Sequence, residues 1–334
     1  MDVARLAGVS RGTVSLVLNA NKGRVPISQE TSERVIAAAR QLNYSPNPVA
    51  QMLARGKNRI LGFFSFEDQF PFNPSDFYNP YLIGIEQEAA AHEYNLILFT
   101  SNQSATARKI FQNGMNSLRL ADGVILTGNY PDPNELRQLS NEHFPFVLIG
   151  RSDLPNDEID TVVNDHTPTS FEATQHLIQL GHKHIGFVAD NLSLAYHQER
   201  LSGSQKAIDE ASDVDLVIIQ SNVLKDSMIF KHTLHENQIT ALVCADRMLV
   251  ATVVKRVQEI SLQVPGNLSL VFLVSNTWDM PHTNPTRVNI HRDEKGRVAV
   301  QRLIQRLNGE LTDFEQTKVE CQFIPGETTT LPNL

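Results

Sequence analysis

From residue 59 onward the chain is punctuated by short, unbroken apolar runs. They are ILGFF (60–64), NLILF (95–99), GVILT (123–127), FVLI (146–149), IGFVA (185–189), DLVII (215–219), ALVC (241–244) and LVFLV (270–274). Between them lie longer mixed segments such as LIGIEQEAAAHEY and SFEATQHLIQLGH, which read as helices. Runs without polar alternation predict strands covered on both faces, and their alternation with helices predicts parallel pairing. The expected body is a doubly wound α/β structure that binds ligands at the carboxyl ends of its strands, in a cleft between two such units.

The first 57 residues follow a different pattern. DVARLAGVSRGTVSLVLN, from Asp2 to Asn19, divides at Gly8. Val3, Leu6 and Ala7 stand at helical spacing before it; after it, Ser10 is placed to cap a second helix with Val14, Val17 and Leu18 on its apolar stripe. Two short helices around a tight Gly-Val-Ser turn fit a helix-turn-helix, because the turn leaves no room for large side chains. The opposite face of the second helix carries Arg11, Gly12, Thr13, Ser15 and Leu16. Such a mixed face suits base edges: an arginine takes guanine bidentately and a leucine meets a thymine methyl. An ordinary solvated helix looks similar, so the face alone does not decide. A third helix from about Ser28 to Leu42, with Val35, Ala38, Ala39 and Leu42 turned inward, is expected to complete the core.

NYSPNPVAQMLARG (43–56) opens as a linker and continues as a helix. Asn47 is a competent N-cap, Pro48 suits the first helical position, and Gly56 suits the position after the end. Eight residues fall well short of the roughly 12–15 at which isolated helices become marginal. The segment is expected to be a linker alone and a helix when a surface packs on it.

Charge sharpens the contrast between head and body. The net charge is -8, but residues 1–57 hold eight Lys/Arg against three Asp/Glu (+5), and the remainder holds 21 against 34 (-13). A basic head favours polyanions through counterion release, although charge alone leaves RNA and membrane surfaces open. No run approaches bilayer length and no export signal opens the chain, so a cytoplasmic protein is expected. Cys244 and Cys321, far apart, signal neither a disulfide framework nor a metal site. The histidines of GHKHIG, His182 and His184, read as a structural turn. The phosphate-binding glycine fingerprints and the H-E-x-x-H helix are missing from the sequence. No enzyme activity and no cofactor are expected.

DVARLAGVSRGTVSLVLN followed by VPISQETSERVIAAARQLNYSPN resembles the DNA-binding head of the lactose/galactose repressor (LacI/GalR) family, nearly position by position. Members usually carry a few residues before the Asp-Val-Ala, so either the start is trimmed or the first helix is weakly capped. Looser similarity continues through LADGVILTG, LIQLGHKHIGFVAD, ERLSGSQKAI, ITALVCADRM, QVPGNLSLV and NPTRVNIHRDEKGRVAV. The resemblance implies a helix-turn-helix domain (1–45), a hinge helix (46–58) and a core (59–334) of the type I periplasmic-binding-protein fold. Lobe one would hold about 59–181 and 291–318, and lobe two about 182–290 and 319–334, with the chain crossing three times.

The same resemblance implies a transcription regulator, a repressor, acting as a homodimer on a pseudo-palindromic operator in double-stranded DNA. Ser10, Arg11, Gly12, Thr13, Ser15, Leu16 and Asn19 would meet the major groove. Asn47, Val49, Ala50 and Leu53 would lie at the minor groove, with Leu53 as the wedge between base pairs. A sugar or related metabolite in the cleft would alter the lobe angle. Phe77 and Tyr78 fall on the family's aromatic pair, Arg200 on an arginine used for ligand oxygens, and Asp165 and Asp246 on acidic cleft positions that equally suit helix caps. One departure stands out: Phe272, Leu273 and Val274 replace a glycine, an aromatic and a hydroxyl-binding aspartate. A polyol hydroxyl left unpaired against Val274 would cost about 1–3 kcal/mol. Ala245 also replaces an asparagine, while Trp278 or Asp279 offers a substitute group. Two readings of the effector stay open, a sugar held in an altered way or a cleft that answers to something else or nothing. No apolar heptad tail follows FIPGETTT, so a dimer is expected rather than a tetramer. A solute receptor for transport would share the body, but it would need export and no basic head.

Overall fold

A computed structural model describes residues 2–18, 27–44, 58–66, 78–100, 108–128, 131–155, 158–275 and 284–333. The chain divides into two compact units, Met1–Ile60 with Leu120–Asp122, and Leu61–Arg119 with Gly123–Leu334.

The first unit contains helices α1 (Asp2–Ala7), α2 (Arg11–Leu18) and α3 (Gln29–Gln41). Gly8 adopts φ +65°, a left-handed conformation that favours glycine, and the chain turns there into α2. Ser10 Oγ then accepts the Thr13 N–H at 3.0 Å, satisfying one of the free donors at the start of α2. Ser28 does the same for α3 through the Thr31 N–H. The core consists of Val3, Ala7, Val14, Val35, Ala38 and Ala39, with Val17 and Leu18 half-buried beside it. Two expected core residues lie outside: Leu6 is 47% and Leu42 41% exposed. Val3 and Ala7, one turn apart, occupy the inner stripe of a six-residue helix and leave Leu6 on its flank. Leu42 is the C-cap of α3, where the regular helix has ended. Also in this unit, the Asp122 carboxylate accepts the amides of Asn58 and Arg59, each at 2.7 Å.

The second unit is built from β1 (Ile60–Ser65), α4 (Asn79–Ala91), β2 (Asn95–Phe99), a small hairpin of β3 (Phe111–Gln112) and β4 (Met115–Asn116), β5 (Gly123–Thr127), α5 (Pro133–Asn141), β6 (Phe146–Ile149) and β7 (Asp160–Asp165). There follow α6 (Thr167–Gln179), β8 (His184–Val188), α7 (Ala195–Asp209), β9 (Asp215–Ile219), α8 (Ser227–Glu236), β10 (Ala241–Cys244), α9 (Val250–Glu259), β11 (Ser269–Phe272) and β12 (Arg287–Asn289). The last elements are α10 (Arg292–Leu307), β13 (Gln316–Glu320) and β14 (Gln322–Ile324). Two six-stranded sheets result, ordered β13-β7-β6-β5-β1-β2 and β14-β12-β11-β10-β8-β9. Within them the described registers are parallel except for β12 with β14.

Successive side chains along these strands enter different cores. Phe63 and Ile125 join one cluster while Phe64 and Val124 join another; in the second sheet Leu242 and Val243 divide in the same way. This two-residue period, with both sides buried, is the doubly covered sheet that the apolar runs predict. Helices α4 and α10 pack on each other over the first sheet. A Cβ at Gly296 would collide with the Tyr81 carbonyl, and one at Gly84 with the backbone of Asp293, so glycine lets the two backbones meet.

Helix α6 packs on α7 and against β10, β12 and β14, burying Ala173 and Leu177 in a core of the second sheet. The boundary expected at residue 181 is therefore too late: the chain leaves the first layer directly after β7. Likewise β13 keeps it in the first sheet to Glu320. The remaining crossings lie between β12 and α10 and between β13 and β14. Asn164, 4% exposed, joins all three, donating its side-chain amide to the carbonyls of Ile290 and Val319, each at 3.0 Å. Among the described residues no helix is long and apolar enough to cross a membrane.

Candidate functional sites

On α2, Arg11, Gly12 and Ser15 are exposed and Thr13 and Leu16 half-buried, while Val14 enters the core. The residues expected to read bases thus share the outward side of one helix. Ser10 and Thr13 also have a local task, since their hydroxyls bond each other at 2.9 Å while Ser10 caps the helix. Asn19, Asn47, Val49, Ala50 and Leu53 lie outside the described residues, as do Phe77, Trp278 and Asp279.

A second group of polar residues gathers where the chain passes between the two sheets. Arg151 follows β6, Asp165 ends β7, His166 precedes α6, Asp246 follows β10, Lys295 stands near the start of α10, and Cys321 separates β13 from β14. Arg200 comes from α7 and is 5% exposed. Its Nη1 donates to the Ala245 carbonyl at 2.6 Å, its guanidinium lies 5.3 Å from the Tyr196 ring centre, and its Nε has no acceptor among the described residues. Burial pulls its pKa down to about 10. Asp246 uses one oxygen to accept the Met248 N–H at 2.8 Å, and the other stands 3.8 Å from His197 Nε2. Asp165 accepts the Thr167 N–H and pairs with Lys318 Nζ at 2.9 Å. Both aspartates therefore cap the turns that follow them. Arg151 pairs with Glu199 of α7, a charged link between the layers.

Two buried histidines border this region. His166 has Nδ1 3.9 Å from Cys321 Sγ; burial, followed by Arg200, Lys295, Arg151 and His197, holds its pKa well below the ordinary value. His197 donates from Nδ1 to the Asn191 carbonyl at 2.8 Å, and its pKa is lowered, mainly by burial.

Two sequence expectations change. Tyr78, expected as an open aromatic platform, is 4% exposed and packed in a core cluster with Phe63 and Ile149. It directly precedes α4, whose Tyr81 and Ile85 turn into the same core. Val274 does not replace a ligand-facing group with an apolar one at an open surface: it is buried with Cys244, Val250 and Phe272. The polar contact beyond that strand comes from Ser275, whose Oγ accepts the Ile290 N–H at 2.7 Å. The GHKHIG histidines do separate structural work. His182 bonds Thr240, Ser269 and the Thr330 carbonyl, and His184 lies 3.4 Å from Asp215 on the neighbouring strand.

Sequence reasoning overlooked Arg151, His166, His197 and Lys295. A signal existed for one of them: Lys295 lies four residues before Ala299 and eight before Leu303, on the buried stripe of α10. A charge on an apolar stripe requires a reason.

Residues 61–327 match the family described as periplasmic binding proteins and sugar binding domain of LacI family, and residues 1–47 match bacterial regulatory proteins, lacI family. The chain belongs to the LacI family. That family is one of transcription regulators, not enzymes. LacI-family relatives include the catabolite control protein A of Priestia megaterium, 30% identical over 319 residues and covering 93% of each chain. The transcriptional regulator MalR of Streptococcus pneumoniae is 28% identical over 317 residues, covering 92% of each. Among solved structures, the Lac repressor dimer bound to operator and the anti-inducer ONPF superposes with a TM-score of 0.72 at 21% identity, covering 98% of each chain. At that identity the likeness shows the LacI-family fold, two doubly wound sheets crossed three times.

Proposed function

We propose that this chain is a sequence-specific repressor that binds a pseudo-palindromic operator as a homodimer and answers to a small metabolite. The observation that carries the reading is α2: a capped helix on a small three-helix core, turning Arg11, Gly12 and Ser15 outward from a head of charge opposite to the body. Two-fold symmetry in the protein calls for a two-fold operator, and the work is cytoplasmic, where the DNA is.

Asn19 would support the α2 contacts, and Asn47, Val49, Ala50 and Leu53 those in the minor groove. In the body, Arg200 would hold effector oxygens; Asp165 and Asp246 would border the site through the turns they cap. Phe77, Tyr78 and Trp278 would supply the aromatic surface, Tyr78 only after leaving its core packing. A ligand that prefers one angle between the sheets would act on the three crossings joined at Asn164, and through them on the spacing of two heads.

The test is selection of operators from random DNA at moderate salt using the full chain. A pseudo-palindrome is expected, and enrichment of none rejects the reading. On the selected operator, Arg11→Ala should weaken binding by about 1–3 kcal/mol and relax one position. Leu53→Ala should weaken it strongly with the body still folded; unchanged affinity removes the wedge.

A further inference from the structure

Arg200 and Lys295 are both charged and both buried, 5% and 7% exposed, and they come from opposite layers. Arg200 has a carbonyl, an aromatic ring and an Nε that finds no acceptor among the described residues. The Lys295 ammonium stands 5.2 Å from the centre of the Tyr81 ring, and no carboxylate among the described residues lies within ion-pair distance of it. The backbone contact at the adjacent Gly296 fixes this part of α10 against Tyr81.

The two cations act on the same place. Each opposes protonation of His166, and each favours the thiolate of Cys321, whose pKa burial nonetheless raises. The nearby carboxylates have other partners: Asp165 has Lys318, Glu199 has Arg151, and Asp246 caps its turn beside His197. Neither Ala245 nor Val274 offers a neutral polyol an acceptor, since Ala245 lacks a polar side chain and Val274 is in the core. Asp246 favours the charge of Arg200 but already caps its own turn; buried charges short of counter-charge are costly, and an anion that satisfies both at once removes that cost.

We propose that the effector of this chain is a small organic anion whose phosphate or carboxylate sits between Arg200 and Lys295. Because these residues belong to different layers, one anionic group bridges the two sheets and favours a single angle between them. The inference rests on the body being an effector-binding domain, not on any particular operator.

The test is thermal unfolding of the full chain with inorganic phosphate, glucose 6-phosphate, glucuronate or glucose, each against chloride at matched ionic strength. At least one of the charged compounds should raise the midpoint by a few degrees, and glucose should not. The phosphate and glucuronate arms separate the two anion chemistries. Titration should show Lys295→Met binding the responding anion about thirtyfold more weakly, with Lys295→Arg retaining part of the affinity. Lys295→Gln serves if the methionine variant does not fold. The proposal is overturned if no anion exceeds the chloride control, if glucose matches the charged compounds, or if the folded Lys295 variant responds as the parent does. A response to glucose alone would leave the regulator reading intact, since operator selection tests that separately.

Discussion

The two sheets share one strand order but secure their far edges by different chemistry. In the first, Asp160 is fully buried between two arginines: Arg302 Nε donates at 2.7 Å and Arg306 donates to the other oxygen. Arg302 also pairs with Glu315, and Arg306 lies 4.1 Å from the centre of the Phe314 ring. This charged cluster fixes β7, β13 and α10. The second sheet uses neutral groups. His182 Nε2 donates to the Thr330 carbonyl at 2.9 Å, Ser269 Oγ accepts the Thr330 N–H at 3.1 Å, and Thr328 Oγ1 donates to the Leu270 carbonyl at 2.6 Å. The difference teaches that a shared strand order does not imply a shared response: one edge depends on a buried charge, the other on a histidine staying uncharged.

The largest effect is expected from breaking the charged edge. Asp160→Asn leaves two arginines facing a neutral partner and should cost about 3–5 kcal/mol in urea unfolding. A loss below about 1 kcal/mol would mean that the arginines find other partners. His182→Ala breaks the neutral edge and should cost about 1–3 kcal/mol in the same measurement.

Acid sharpens the comparison further. His166, His176, His182 and His197 all have pKa values lowered by burial, so an unfolded chain with histidines near 6.5 binds protons that the folded one refuses. Their contribution is present above about pH 6.5 and is lost as pH falls below it. In the first layer, burial raises the pKa of Glu135, whose contribution changes in the opposite direction. Hydrogen exchange at pH 7.5 and 5.5, corrected for intrinsic rates, should show the second sheet loosening first, and the acid sensitivity should diminish in His182→Asn. Equal loosening of both sheets would refute the contrast. The smallest effect is expected at the exposed pair Lys206–Glu210: Lys206→Ala should change stability by no more than about 0.5 kcal/mol, read from the same urea curves.

Strands covered on both faces were legible because burial on two sides excludes polar residues. Strand β7 breaks that rule. DTVVND is buried at all positions but the last, yet four of its six side chains are polar, among them Asp160, which serves the arginine cluster, and Asn164, which serves the crossings. Periodicity has no means of anticipating partners more than a hundred residues away. The head was legible from its spacing and turn, apart from Leu6 and Leu42, whose exposure depends on where short helices stop. In the candidate effector region Arg200 was legible through family resemblance, whereas Lys295 emerged only when the fold placed it beside Tyr81 and His166. Val274 illustrates the reverse error: position along a strand suggested a lining residue, and packing made it core.

One short segment, Gln316–Ile324, supplies an edge strand to each sheet. Translation at roughly 5–20 residues per second delivers that segment roughly 15–50 seconds after β1. β7 therefore waits roughly 8–30 seconds and β12 roughly 2–7 seconds for the neighbour each will finally have, and once β12 is made the nascent chain presents two unpaired edges. A ribosome that stalls before residue 316 leaves both sheets unfinished together, so the order of synthesis makes completion of the two layers a single late event.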